Sequence, residues 1–215
     1  MRGAYVPDQI RAAESALMAS LPPGALMQRA ATGLAVACAA QLGRVYGARV
    51  LVLAGPGDNG GDALFAGAQL ARRGAVVRAA AAASARDSSG EPALHAAGAA
   101  ALRAVGGQVL PDAVAAAAFA QRGVDLVVDG IVGIGGRPGL QGRPRELAML
   151  ARAARERGAT VVAVDLPSGL DAATGWAPPE PDSAVRADLT LTFGALKTGL
   201  VAGANRDLAG QVRLV

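Results

Sequence analysis

The stretch V-L-V-L-A-G-P-G-D-N-G-G-D, Val50 to Asp62, decides the fold. A hydrophobic run, Val50–Ala54, enters a glycine-rich turn, Gly55–Asp62, and an amphipathic run, Ala63–Arg73, leaves it. That order predicts strand, tight turn, helix. Glycines in such a turn permit positive φ and let a ligand approach backbone N–H groups with no Cβ in the way. A helix starting there aims its unpaired N–H groups and the positive end of its dipole at the same place. A phosphate or another anion suits that site. Asp58, Asn59 and Asp62 add two carboxyls and an amide. Taken alone, the same residues read equally well as turn chemistry, with Asp62 capping the helix and Asn59 in the tight turn. The glycine spacing is neither G-x-G-x-x-G nor the G-K-[ST] ending of a P-loop.

Outward from this turn, strands and helices alternate. Upstream, Val6–Ser20 reads as an amphipathic helix with Ile10, Ala13, Leu17 and Met18 on one face. Pro22-Pro23 breaks the chain before a second helix over Gly24–Gly43. Downstream, Ala75–Ala81 reads as a strand, Ala82–Glu91 as a polar loop and Pro92–Val105 as a helix. A short strand follows at Gln108–Leu110 and a short helix at Asp112–Ala120. Then come a strand at Val124–Asp129, a glycine-rich loop at Ile131–Gly142, a helix at Arg145–Arg157 and a strand at Thr160–Asp165. A Gly/Pro-rich loop over Asp171–Pro181 precedes strands at Ala187–Phe193 and Gln211–Val215. Near-continuous apolar strands alternating with helices predict an α/β fold, three-layered and Rossmann-like. Its sheet is mostly parallel with helices on both faces, preceded by an N-terminal helical pair. No repeat or linker divides the chain, so residues 1–215 read as one domain.

Composition narrows the function classes. The chain has 215 residues, enough for one domain with a real core. It is 52% hydrophobic but only 3% aromatic, which predicts a close-packed core of small residues. The net charge is +4, yet the densest basic cluster, Arg143–Arg157, is interleaved with glutamates and apolar residues at helical spacing. That pattern is a solvated surface helix. With six aromatics in all (one Trp, two Tyr, three Phe), stacking platforms for single strands are scarce, and nucleic acid is disfavoured as a partner. The lone cysteine, Cys38, reads as a small core residue and allows no internal disulfide, which fits the cytoplasm. The lone histidine, His95, has no Ser/Asp pattern nearby for a catalytic triad. The N-terminus has no signal pattern, and no apolar run approaches the about 18 residues of a membrane span. The chain closes on an apolar strand pattern, Val212–Val215, as a domain cut from a longer protein would.

Polar residues gather where three apolar strands end. In parallel sheets of this kind ligands sit beyond the carboxyl ends, near a topological switch point. The first loop carries Asp58, Asn59 and Asp62. The second, V-V-D-G-I-V-G-I-G-G over Val127–Gly136, ends its strand at Asp129 and crowds in glycines, as backbone packed on a ligand would need. The third, V-D-L-P-S-G-L-D over Val164–Asp171, exposes Asp165 at the strand end and can hold its turn through Ser168 and Asp171. A partly desolvated carboxylate at Asp165 is a candidate general acid/base. Asn59, Asp129 and Ser168 together offer only oxygen ligands with one carboxylate among them. Such a set fits a monovalent cation such as K⁺ better than Mg²⁺ or Ca²⁺, and the lack of Cys/His clusters disfavours zinc.

These motifs, in this order and spacing, resemble the NAD(P)H-hydrate epimerase family, the YjeF N-terminal domain. The family's G-x-x-N-N-G-G-D-G, V-D-A-L-F-G-T-G, D-I-P-S-G-L-D and T-x-x-F-G-x-x-K read here as G-P-G-D-N-G-G-D-A, V-D-G-I-V-G-I-G-G, D-L-P-S-G-L-D and T-L-T-F-G-A-L-K. The resemblance implies an isomerase that interconverts the R and S forms of hydrated NADH and NADPH (NADHX, NADPHX) at nicotinamide C6. It implies substrate contacts at Asp58, Asn59, Gly60, Gly61, Asp62, at Gly133, Ile134, Gly135, Gly136, Arg137, Pro138, Gly139, and at Asp165. The residues proposed for catalysis are Asp165 first and Asp62 second. K⁺ ligands are implied at Asn59, Asp129 and Ser168, and the expected partners are a second copy of the chain and an ADP- or ATP-dependent dehydratase, fused or separate. Three places depart from the family: Asp58 for the first asparagine, Ile134 for threonine, and L-M-Q-R-A-A at Leu26–Ala31 for L-M-E-N-A-G. A competing expectation is a non-catalytic module of the same fold that binds nucleotides or RNA metabolites and dimerises.

Overall fold

The computed structural model describes residues 3–83, 85, 90 and 92–215. Of the polar loop expected over Ala82–Glu91, residues 84, 86–89 and 91 lie outside the described residues. The elements in chain order are β1 (Ala4–Tyr5), α1 (Pro7–Met18), α2 (Ala25–Leu42), β2 (Arg49–Ala54), α3 (Asp58–Arg72), β3 (Val76–Ala81), α4 (Ala96–Arg103), β4 (Gln108–Val109) and α5 (Ala113–Gln121). They continue with β5 (Leu126–Gly130), α6 (Gly142–Glu156), β6 (Thr160–Val164), β7 (Leu189–Thr192), β8 (Leu196–Lys197), α7 (Thr198–Val201), a 3₁₀ turn (Arg206–Ala209) and β9 (Gln211–Leu214).

Seven strands form one sheet in the order β4-β3-β2-β5-β6-β7-β9, and every pairing in it is parallel. The expected "mostly parallel" sheet is therefore wholly so. Chain order reverses between β2 and β5, the switch point where such sheets bind ligands. Strand residues alternate between two cores. Val50, Val52, Val77, Val128 and Val162 join α2, α3 and α4 on one face. Leu51, Leu53, Val127, Val161 and Ala163 join α5 and α6 on the other. Small residues let the layers close in: a Cβ on Gly67 of α3 would lie 3.2 Å from Val52 and 3.3 Å from Val77.

Three readings need correction, and one pairing had no reading in the sequence. First, α3 begins at Asp58, inside the glycine turn, and not at Ala63. Asp62 therefore sits a turn inside the helix and cannot cap it. Second, α1 does not turn Ala13, Leu17 and Met18 inward. Ile10 is 4% exposed, but Leu17 is 47% and Met18 54% exposed, and the positions it withdraws from solvent are Pro7, Ile10 and Glu14. Third, His95 lies at the N-cap of α4, where Nδ1 accepts a hydrogen bond from Gly98 N at 3.1 Å, so the helix starts later than Pro92. That pairing joins the two-residue strands β1 and β8 in parallel, Ala4 with Leu196 and Tyr5 with Lys197, tying the start of the chain to a segment near its end.

Candidate functional site

Strands β2, β5 and β6 are neighbours, so the three polar loops that follow them meet at one edge of the sheet. Their glycines serve mainly to let the loops touch. None of Gly55, Gly57, Gly60, Gly61, Gly130, Gly133, Gly135 or Gly136 has positive φ, contrary to the conformational reading of the turn. A Cβ on Gly55 would lie 2.1 Å from Ile131 O, and one on Gly60 2.0 Å from Gly55 O. One on Gly130 would lie 2.5 Å from Ala63 Cβ, and one on Gly133 3.1 Å from Asn59 Oδ1. Gly57 and Gly135 alone in these loops face open space. The first turn of α3 keeps its backbone N–H groups uncapped by any side chain. That leaves the anion-binding end intact. Gly135, Gly136, Arg137 and Pro138 are exposed along the second loop, with Gly133, Ile134 and Gly139 partly so. Gly139 does take positive φ, at 86°.

Asp165 follows β6 in the left-handed region, φ 68°, a strained conformation for a non-glycine residue. Its Oδ1 accepts three donors: the ammonium of Lys197, Thr192 Oγ1 at 3.1 Å and Phe193 N at 3.2 Å. Its Oδ2 has no partner among the described residues and reaches solvent. Lys197 is the only lysine in the chain and is fully buried; it also donates to Thr192 Oγ1 and Phe193 O, both at 3.0 Å. Reading the sequence left this residue out of the site, although the T-L-T-F-G-A-L-K motif contains it. A lone lysine in an arginine-rich chain, inside an apolar segment, was the available sign.

Asp62 is the second acid. Burial first, then the charges of Asp165, Asp58 and Glu14, push it up to about 8. At neutral pH it carries its proton, and its Oδ1 is buried without a hydrogen-bond partner. Asp58 is exposed at the start of α3. Glu14 of α1 was likewise missed. Its carboxyl is also raised, by burial first and then by Asp165, against the opposing pull of Lys197 and Arg11.

Asp129 is fully buried at the end of β5. Its Oδ1 accepts Ser168 Oγ at 2.6 Å and Ile131 N at 3.3 Å, and its Oδ2 accepts Ser168 N at 2.8 Å. Ser168 Oγ accepts in turn from Val132 N at 3.0 Å. Burial raises Asp129 to about 6, against those hydrogen bonds, and no ion pair balances it among the described residues. Asn59 Nδ2, beside this loop, is buried without a partner. Oxygen and nitrogen of an amide are exchanged by a flip, so the orphaned end can equally present an oxygen. A buried carboxylate without a counter-charge, a buried hydroxyl and an orphaned amide are what a weakly charged cation site needs. Among the described residues no group of three or more His, Cys, Asp or Glu side chains could hold a metal.

A wholly parallel Rossmann-like sheet whose three polar loops meet at its switch point defines an open α/β protein of the class that binds ligands beyond its strand ends. The family model of the YjeF-related protein N-terminus matches residues 23–199, and the chain belongs to that family. It is 46% identical over 99% of its length to the NAD(P)H-hydrate epimerase of Microbacterium testaceum, covering 77% of that protein. It is 46% identical to the bifunctional NAD(P)H-hydrate repair enzyme Nnr of Mycobacterium tuberculosis, spanning 92% of this chain but 38% of that enzyme. The crystal structure of the yeast protein YNL200c matches with a TM-score of 0.76 at 19% identity, covering 99% of this chain and 87% of that one. That last likeness is one of fold.

Proposed function

We propose that this chain epimerises hydrated NADH and NADPH at nicotinamide C6, as a step in nicotinamide cofactor repair. The observation that carries the reading is the pair of carboxyls Asp62 and Asp165: one keeps its proton at neutral pH, the other is held in an ion pair by Lys197. The names of the Microbacterium and Mycobacterium relatives support the same reaction. C6 of the hydrate bears a hydroxyl and a ring nitrogen. A proton delivered to that oxygen lets the C6–O bond break with loss of water, the nitrogen lone pair forming the N1=C6 bond. Water then adds to either face of C6, and a carboxylate takes the proton it sheds. Asp62 suits the donor's role and the free Oδ2 of Asp165 the acceptor's. The open N–H groups of α3 and the exposed loop at Gly135–Arg137 would take the dinucleotide's phosphates.

Asp129, Ser168 and Asn59 would hold K⁺. Its charge would balance the buried carboxylate and tie the three loops together. A homodimer, a cytoplasmic setting, and a dehydratase partner, fused or separate, complete the proposal. The fused arrangement is supported by the length of the Mycobacterium enzyme. Among the described residues no helix is long and apolar enough to cross a membrane.

The test supplies a mixture of R and S NADHX to an S-specific dehydratase and follows recovery of NADH absorbance. Without an epimerase, recovery stalls when the S form is spent. Added chain should make the R fraction follow at the fast rate. A slow phase left unchanged, with and without K⁺, refutes the epimerase reading.

A further inference from the structure

The N-terminal segment is built into the edge of the site. β1 pairs with β8, the strand that ends in Lys197. One turn into α1, Arg11 Nη2 donates to Ile134 O of the glycine loop at 2.9 Å, while Nη1 holds Asp8 at 3.0 Å. The helix is thus fixed at two points, beside the buried lysine and on the second loop. Only Pro7, Ile10 and Glu14 of α1 are withdrawn from solvent, an i, i+3, i+7 stripe. On an otherwise exposed helix such a stripe is normally apolar throughout. Here its third position is a carboxyl, and it makes no hydrogen bond or ion pair among the described residues. Its carboxyl is half-withdrawn, its oxygens still reach solvent, and it can therefore exchange protons with water. The neighbouring cations are engaged elsewhere: Arg11 on Asp8 and Ile134 O, Lys197 on Asp165.

We propose that Glu14, carried to the strand ends by α1, is a further proton-transferring residue of the site, acting with Asp62 on the C6 hydroxyl. The inference rests on the epimerase reading. Inverting C6 means that water leaves one face and returns on the other. One carboxyl gives its proton to the departing oxygen as C6–O breaks; a second, in its carboxylate form, takes a proton from the water that adds on the far face. Each turnover exchanges the protonation of the two groups, and proton exchange with solvent resets them. Asp165 after β6 is one such acceptor, and Glu14 on α1 adds another, so that carboxyls on three elements can meet the ring from different directions. The titratable and charged groups facing Glu14 are Arg11 on its own helix, Asp58 and Asp62 on α3, Asp165 after β6 and Lys197 on β8.

The wild-type chain, Glu14→Gln and Glu14→Asp are compared in the coupled assay across a pH series, with melting temperatures alongside. The expected result is a kcat at least about tenfold lower for Glu14→Gln, with KM within about twofold and an unchanged or higher melting temperature. One ionisation disappears from the pH profile of kcat, and Glu14→Asp restores part of the rate. Wild-type kcat and pH profile in Glu14→Gln overturn the inference, as does a loss confined to KM. So does a rate loss that tracks a fallen melting temperature without rescue by aspartate. A wild-type chain that turns nothing over removes the epimerase reading and this inference together, whereas an active wild type beside an indifferent variant removes this inference alone.

Discussion

Asp62 shows how position within an element sets the chemistry of a side chain. Its ordinary value of 3.8 rises to about 8 in the folded chain. Between those values the folded chain keeps a proton that the unfolded chain has released, so stability falls as pH rises. The stabilising share is complete below the unfolded value and is lost as pH passes the folded one. Asp62→Asn keeps the shape and cannot ionise. Its melting temperature should match the wild type near pH 4 and exceed it by several degrees near pH 8, at about 2–4 °C per kcal/mol for a chain of this size. An offset independent of pH in thermal melts refutes the assignment. The carboxyl itself was legible in G-D-N-G-G-D. Its raised value was not, because it depends on α3 starting at Asp58 and on acids brought in by α1 and by the turn after β6. Cys38, by contrast, was read correctly from composition: it is fully buried, and burial pushes its thiol up to about 12.

At the scale of elements, the strands were legible because both their faces are covered, so they appear as unbroken apolar runs such as Val50–Ala54. The two-residue strands β1 and β8 were not, since two residues have no periodicity to read. The glycines were legible as a signature but misread in mechanism. They are required by carbonyls and side chains of the adjoining loops, not by φ. Gly60 tests this. Alanine would be the better helix former by about 1 kcal/mol. Its Cβ, however, would fall 2.0 Å from Gly55 O, a backbone atom that cannot swing aside. Overpacking of that kind costs about 1–3 kcal/mol or more and wins. Gly60→Ala should lower the melting temperature by roughly 5 °C or more. Gly135→Ala, whose Cβ meets nothing, should leave it within about 1–2 °C. Equal melting temperatures for the two variants would mean that the start of α3 is not packed against Gly55 of the turn that precedes it.

At the scale of the whole molecule, the site joins residues far apart in sequence: Glu14 and Arg11 near the start, Asp58–Asp62 after β2, Asp165 after β6 and Lys197 near the end. The motifs named most of these positions one by one, but it is the pairing of β6 with β7, Val164 beside Leu191, that brings Asp165 against Thr192, Phe193 and Lys197. The pair therefore has a structural weight that the sequence did not disclose. Asp165→Asn, a natural first choice for testing catalysis, would leave a fully buried ammonium without its carboxylate. Removing one member of a buried pair costs about 3–5 kcal/mol, much of it the penalty on the charge left behind. Asp165→Asn should thus lower stability by about that amount, or about 6–20 °C in melting temperature, and Lys197→Met by less, because the carboxylate it leaves reaches solvent. Lys197→Met combined with Asp165→Asn should lose less than the sum of the two single variants, because no lone charge remains buried. Urea unfolding of the four proteins gives the cycle. Additive losses would show that Asp165 and Lys197 are stabilised independently, and that the left-handed turn at Asp165 is held by Thr192 and Phe193 alone.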